Sequence, residues 1–232
     1  MFIIAWFGGN VMMGVLMTCL RGWISGVLLA AMVAGASWGQ RAVSASFDHF
    51  VLSLSWSPEY CALAGDTGAS SRECVFGRRI GFVADGLWPR TSAGGGPEAC
   101  GGAKSVAKGL INSLPGTMPG ADRIQRDWVA HGTCTGMTTN EYFTSLLLAR
   151  AAVLIPVQFS TIAETTQESP AQIEAQFAGA NPEVPEKAFR TVCRGGALME
   201  VRVCFGKDLK AQACPVGEEE CSAATVSVRQ LR

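Results

Sequence analysis

The chain has 232 residues, 48% hydrophobic and 16% charged, with 27 Gly, 10 Pro, 9 Cys and 19 basic against 19 acidic side chains. That apolar content, without any short repeat, excludes a disordered or collagen-like chain and fits one domain of ordinary size. All the acidic residues but only 17 of the basic ones lie after residue 45, and the resulting charge of −2 over 46–232 excludes a strongly basic nucleic-acid binder while leaving room for a local phosphate site.

Residues 1–38 carry a single charge, Arg21. From Met17 the order is a short segment with Arg21, an apolar run of about a dozen residues, and small residues at Ala36, Gly39 and Ala45 where cleavage fits. A signal peptide over 1–45 is expected, with Met17 as the true initiator; the competing reading is an uncleaved membrane anchor. Export leads to a periplasmic or secreted protein of one domain, 46–232, with no membrane contact after cleavage.

In the exported part, FDHFVLSLSWS (47–57) alternates Phe50, Leu52, Leu54 and Trp56 with Val51, Ser53 and Ser55, which predicts a strand with one face buried. His49 on this strand reads as a surface residue. A short strand is expected at 80–84, followed by a turn at Asp85–Gly86. Helices are expected over 104–114, over 141–155 behind Asn140 as N-cap, and over 170–178. The last has Ser169 as N-cap, Pro170 at the first position, Gln172 three residues after the cap and Gly179 just beyond. Further strands are expected at 199–205 and 225–228, and Gly/Pro-rich loops at 92–102 and 114–120. Such a mixture predicts an α+β fold with an antiparallel sheet packed with helices.

Eight cysteines follow residue 45: Cys61, Cys74, Cys100, Cys134, Cys193, Cys204, Cys214 and Cys221. Their even number in an exported chain favours disulfides, though the sequence alone does not choose among the many pairings. Zinc is the weaker reading: His131 and Cys134 lie three apart, but there is no second ligand pair and the one other histidine is His49.

Two segments carry chemistry. DRIQRDWVAHGTC (122–134) is compatible with a helix through its middle. Asp127 and His131 then share a face, so the carboxylate can orient the imidazole and bring its pKa close to neutral, as suits a general base. Arg126 beside them suits bidentate anion binding. Taken alone, an ordinary helical ion pair explains that spacing. In GFVADGLWPR (81–90), Trp88 offers a face for stacking, or else a core side chain beside a tight turn.

Taken together, Asp85-Gly86-Leu87-Trp88-Pro89 and Arg126-Asp127-Trp128-Val129-Ala130-His131-Gly132-Thr133-Cys134 resemble the two signature blocks of the ribonuclease T2 family, close to HGLWP and HEWxKHGTC. The resemblance extends to FVLSLSWSPEYC (50–61), SPAQIEAQFAGANP (169–182) and CRGGALMEVRVCFGKDL (193–209), in a form like the bacterial branch. It implies a disulfide-stapled α+β ribonuclease T2-like fold and metal-independent, cofactor-free endonucleolytic cleavage of RNA. One histidine removes the 2′-hydroxyl proton, a 2′,3′-cyclic phosphate forms, and a second histidine protonates the departing 5′-oxygen. RNA is then the partner, DNA is not, and the protein is a monomer. The implied disulfides are Cys61–Cys74, Cys100–Cys134, Cys193–Cys221 and Cys204–Cys214.

Carried over by position, His131 is the general base, Asp127 (for Glu) assists it, Arg126 (for His) holds phosphate and Trp88 contacts a base. Asp85 stands where the family has its acid histidine, and Ala130 where it has a charge-stabilising lysine. A carboxyl group of ordinary pKa, about 3.9, keeps its proton in about one molecule per thousand at pH 7, and loss of acid catalysis costs about 10²- to 10⁴-fold. An apolar pocket around Asp85, raising it to about 6, would restore an acid. The resemblance therefore implies a ribonuclease with reduced activity, or alternatively an inactive relative that binds RNA or a protein.

Overall fold

The computed structural model describes residues 45–68, 73–102, 105–114 and 116–232. The expected signal segment lies, apart from Ala45, outside the described residues. Among the described residues, no helix is long and apolar enough to cross a membrane.

The first strand, β1 (His49–Trp56), passes without a loop into α1 (Ser57–Gly68). After it come β2 (Phe82–Arg90), α2 (Lys108–Ser113), α3 (Ala121–Ala130), α4 (Thr139–Ala151), β3 (Thr166–Glu168), α5 (Pro170–Ala180), β4 (Phe189–Arg194), β5 (Ala197–Phe205) and β6 (Val226–Val228). The sheet order is β2-β1-β5-β6-β3, with β4 also paired to β5. All pairings are antiparallel except a short parallel contact of β5 with β6 at Ala197 and Ser227. The fold is α+β, as expected.

Phe50, Leu52, Leu54 and Trp56 enter the main core with Phe82, Phe159, Phe177 and Phe189. The other face of β1 is buried as well, contrary to the one-sided expectation. Val51 packs with the Cys204–Cys214 pair, and Ser53 donates to Glu200 on β5. His49 is not on the surface: its side chain is 1% exposed and its Nε2 lies 3.1 Å from Glu218 Oε1, which also accepts from Arg90. Glu218, Glu219 and Glu220 form a strap whose carboxylates meet Arg90 on β2, Arg202 on β5 and Arg190 on β4.

Helix ends follow side-chain chemistry. α4 starts earlier than expected because Thr138 and Glu141 form a reciprocal capping box, which places Asn140 inside the helix. α5 carries the Ser169–Gln172 box. It runs through Gly179 to Asn181, whose amide donates to the carbonyls of Phe177 and Leu154. α2 begins four residues later than expected.

All four implied disulfides are present, with Cα separations of 5.0–5.3 Å. Cys100–Cys134 works with a hydrogen bond from Ala99 N–H to the Ala130 carbonyl. Together they fix the 92–102 loop against the C-terminal end of α3.

Candidate active site

β2 does not turn at Asp85–Gly86. The strand runs straight on and accommodates one extra residue: Ser53 faces Gly86 while Leu54 faces Ala84, so Asp85 is the bulged residue. A β-bulge re-aims a side chain while pairing resumes on either side, and here it directs Asp85 into a cleft of about 250 Å³. α3 crosses the same cleft. Asp85, Trp88, Arg126, Asp127, Ala130 and His131 all line it, with Ser55, Tyr60, Arg123 and Glu200. Residues distant in sequence therefore meet, but several contacts differ from those expected.

Asp85 is not in an apolar pocket. Arg123, one turn before Asp127 on α3, donates to Asp85 Oδ1 and, at 2.5 Å, to Glu73 Oε1. Its guanidinium lies 4.6 Å from the Tyr60 ring centroid. Arg123 is 5% exposed and the Glu73 side chain 1%, whereas that of Asp85 remains 32% exposed. Charge attraction to these two carboxylates holds the Arg123 pKa up against burial, which acts the other way. Asp85 Oδ1 is thereby held as an acceptor of the Arg123 guanidinium.

Asp127 does not pair with His131. It is buried, and its Oδ2 lies 2.9 Å from the Tyr142 hydroxyl. That hydroxyl also donates to the Leu87 carbonyl at 2.9 Å and accepts from Leu87 N–H, so it satisfies the free edge of β2. A phenol has one proton. It is shared between the Leu87 carbonyl and Asp127 Oδ2. Burial pushes the Asp127 pKa well above the usual carboxylate range, against the hydrogen bond from Tyr142. Asp127 Oδ1 has no partner of good geometry, and the nearby Trp88 indole N–H favours the ionised form.

Gly86 makes this arrangement fit. A Cβ on it would stand 2.0 Å from Asp127 Oδ1 and 2.3 Å from Trp88 Nε1. Gly86→Ala is expected to cost about 1–3 kcal/mol through overpacking, read as a fall in the urea midpoint with an unchanged slope.

His131 terminates α3, its N–H bonded to the Asp127 carbonyl. Its ring lies against Trp88, with centroids 5.1 Å apart and planes 35° from parallel, while Arg202 approaches the Trp88 ring at 5.0 Å. Trp88 thus lines the cleft as expected, but its ring is already engaged in holding the imidazole. Burial lowers the His131 pKa from the ordinary histidine value. Glu98 and Asp85 oppose this, and Arg90 and Arg202 add to it. The expected upward pull from Asp127 is replaced by desolvation. Arg126 is exposed at the cleft and, among the described residues, has no ion-pair partner.

Sequence reasoning missed Arg123, Glu73 and Tyr142. Arg123 had a signal, since it precedes Asp127 by four on the same helix face; Glu73 and Tyr142 reach the site only through tertiary packing. Among the described residues, no group of three or more His, Cys, Asp or Glu side chains is arranged to hold a metal.

Residues 47–214 match the sequence profile of the Ribonuclease T2 family. Two bacterial proteins align with parts of the chain: a ribonuclease of Aeromonas hydrophila (32% identity over 121 residues, 50% of this chain and 52% of that one) and a probable ribonuclease of Haemophilus influenzae (33% over 116 residues, 45% and 42%). The chain spans about half the length of these relatives. Among solved structures, an RNase-related protein from Calystegia sepium superposes with a TM-score of 0.65 at 24% identity, covering 81% of this chain and all of that one. Ribonuclease MC1 from bitter gourd seeds gives 0.59 at 20%, covering 78% and 99%; both likenesses concern the fold. With the profile matched over most of its length and the same fold around the cleft, this chain belongs to the ribonuclease T2 family.

Proposed function

We propose that the protein is a metal-independent endoribonuclease that cleaves RNA through a 2′,3′-cyclic phosphate, and that chain cleavage is slow because Asp85 replaces the acid. The observation that carries this reading is His131, held against Trp88 at the cleft wall, where burial lowers its pKa from the ordinary histidine value and so favours the neutral form that a base needs. The imidazole takes the 2′-hydroxyl proton, O2′ attacks phosphorus, and the P–O5′ bond breaks. Because Asp85 is tied to Arg123, the departing O5′ takes its proton from solvent. Arg126 holds a non-bridging oxygen, and Asp127, buried and bonded to the Tyr142 hydroxyl, keeps β2 and α3 in register. Ala130 supplies no charge for the phosphorane. RNA is the partner of a monomeric, secreted or periplasmic protein that acts on no DNA, and the four disulfides support export.

The Asp85–Arg123 pair also favours a second reading, RNA binding without turnover. Incubation of the purified chain with RNA in excess EDTA separates the two. The expected result is fragments with 2′,3′-cyclic ends, at a rate at least about a hundredfold below that of relatives with the histidine. That rate falls as pH drops through the lowered His131 pKa and the imidazole takes up its proton, and it is lost in His131→Ala. RNA retained but uncut at every pH supports the second reading.

A further inference from the structure

A second concavity, of about 1100 Å³, adjoins the cleft through α1 and the segment that follows it. Tyr60 of α1 lines the cleft, and the next residue, Cys61, lines the concavity. Glu73 bonds to Arg123 in the cleft wall, and the next residue, Cys74, again lines the concavity. The Cys61–Cys74 bridge ties the two segments together, so cleft and concavity are held side by side.

The concavity is charged oppositely to the chain around it. Residues 46–232 carry −2, yet among the described residues the lining holds Arg79, Arg229 and Arg232 and no acidic side chain. Arg229 is paired with Glu59, whose side chain is buried behind it. Arg79 and Arg232 are exposed and, among the described residues, have no ion-pair partner; Arg78, beside Arg79, is exposed as well. The Arg79 backbone has φ 49°, a left-handed conformation that arginine rarely adopts, and its N–H donates to the Arg232 carbonyl at 3.0 Å. Those contacts hold the two arginines next to each other. Phe76, in the same lining, is 84% exposed. An exposed ring beside unpaired guanidinium groups is what single-stranded nucleic acid uses, since bases stack on aromatic faces while cations track the phosphates.

We propose that this concavity is a second RNA-binding site, which holds a single-stranded segment of the RNA whose neighbouring nucleotides lie in the cleft. This rests on RNA being the partner, under either reading of the cleft. Phe76 stacks on a base, while Arg78, Arg79 and Arg232 contact backbone phosphates. Such contacts respond to charge and stacking and carry no base sequence. Anionic lipid headgroups are also negative, but they present a flat surface, whereas these arginines line a hollow. RNA of about eight nucleotides or more fills both places, and shorter RNA fills the cleft alone. Length therefore acts through binding and not through the chemical step.

The test uses 2′-O-methyl oligouridines of about twelve and about three nucleotides, which lack the attacking hydroxyl and stay uncut, with fluorescence anisotropy read across a salt series. The wild type is expected to bind the longer oligomer at least about tenfold more tightly. Phe76→Ala weakens that binding at least about fivefold, and Arg78→Ala with Arg79→Ala lowers the slope of log K against log salt by about 1.4. Neither change alters binding of the shorter oligomer or the rate on a dinucleoside phosphate. The wild type decides the matter even if a variant fails to fold: equal salt slopes for the two lengths overturn the proposal. Dinucleoside cleavage with no gain in binding on lengthening overturns it too and leaves the endoribonuclease reading standing. Variant-sensitive binding of the longer oligomer without dinucleoside cleavage upholds it and overturns that reading. Retention on phosphatidylcholine–phosphatidylglycerol vesicles that Phe76→Ala abolishes, with oligomer binding unchanged, identifies a membrane surface and overturns the proposal.

Discussion

Asp85→His is expected to raise RNA cleavage at about pH 6 by about tenfold to a hundredfold. The bulge that aims residue 85 into the cleft belongs to the backbone register of β1 and β2, so an imidazole placed there points the same way as the carboxylate. Arg123 keeps Glu73 as its counter-ion, but its charge beside the new imidazole disfavours the imidazolium. The gain is therefore smaller at pH 7, where less of the new histidine holds a proton to donate. Adding Ala130→Lys gives a further gain by returning positive charge to a residue that lines the cleft. Initial rates on a dinucleoside phosphate check both steps, and a double variant no faster than the wild type would mean that the site is impaired by more than these two positions.

The largest expected effect on stability comes from Arg123→Leu. Arg123 is buried between Glu73 and Asp85 and lies over Tyr60. Removing it leaves the Glu73 carboxylate inside the protein without its guanidinium, and breaking a buried pair from one side costs about 3–5 kcal/mol. For a domain of this size that corresponds to a melting temperature lower by roughly 10 °C. Replacing Arg123 and Glu73 together by apolar residues of similar volume recovers most of the loss, because neither charge is then stranded. Calorimetry of the single and double variants checks this; equal losses in both would place the cost in packing over Tyr60 rather than in the ion pair.

Local signals in the sequence were legible wherever a few neighbouring residues settle the structure. Ser169, Pro170 and Gln172 start α5 by themselves, and the alternation of Met199, Val201, Val203 and Phe205 marks β5. The same grammar, Ser57 followed by Pro58 and Glu59, begins α1, but it directly abuts the apolar alternation of β1 and the helix is hidden behind the strand. β3 is three residues long, too short to show a period, whereas β6 (Val226–Val228) falls within the strand expected at 225–228. Asp85–Gly86 is a strong local turn signal, overridden because β1 pairs with β2 on both sides of it and absorbs the extra residue as a bulge.

At the site, the family blocks located the cleft residues but not their bonds. The helical spacing of Asp127 and His131 suggested an ion pair. In the fold, Asp127 turns inward to Tyr142, and Trp88 on β2 takes its place beside the imidazole. The partner of Asp85 stood in plain view on α3, but choosing Arg123 over Arg126 depends on which face of the helix meets β2. That is a tertiary property: Arg123 is buried and Arg126 exposed.

On the proposed function, the cleft keeps a base, His131, and lacks an acid for the leaving oxygen. Leaving-group dependence tests this most directly. Uridine 3′-(4-nitrophenyl phosphate) releases an oxygen that needs no proton, whereas the 5′-oxygen of a dinucleoside phosphate does. The wild type is expected to cleave the aryl ester at least about a thousandfold faster than the dinucleoside, with His131→Ala slowing both and Asp85→His narrowing the gap. Comparable wild-type rates on the two substrates would show that an acid is present in the cleft and would contradict the account.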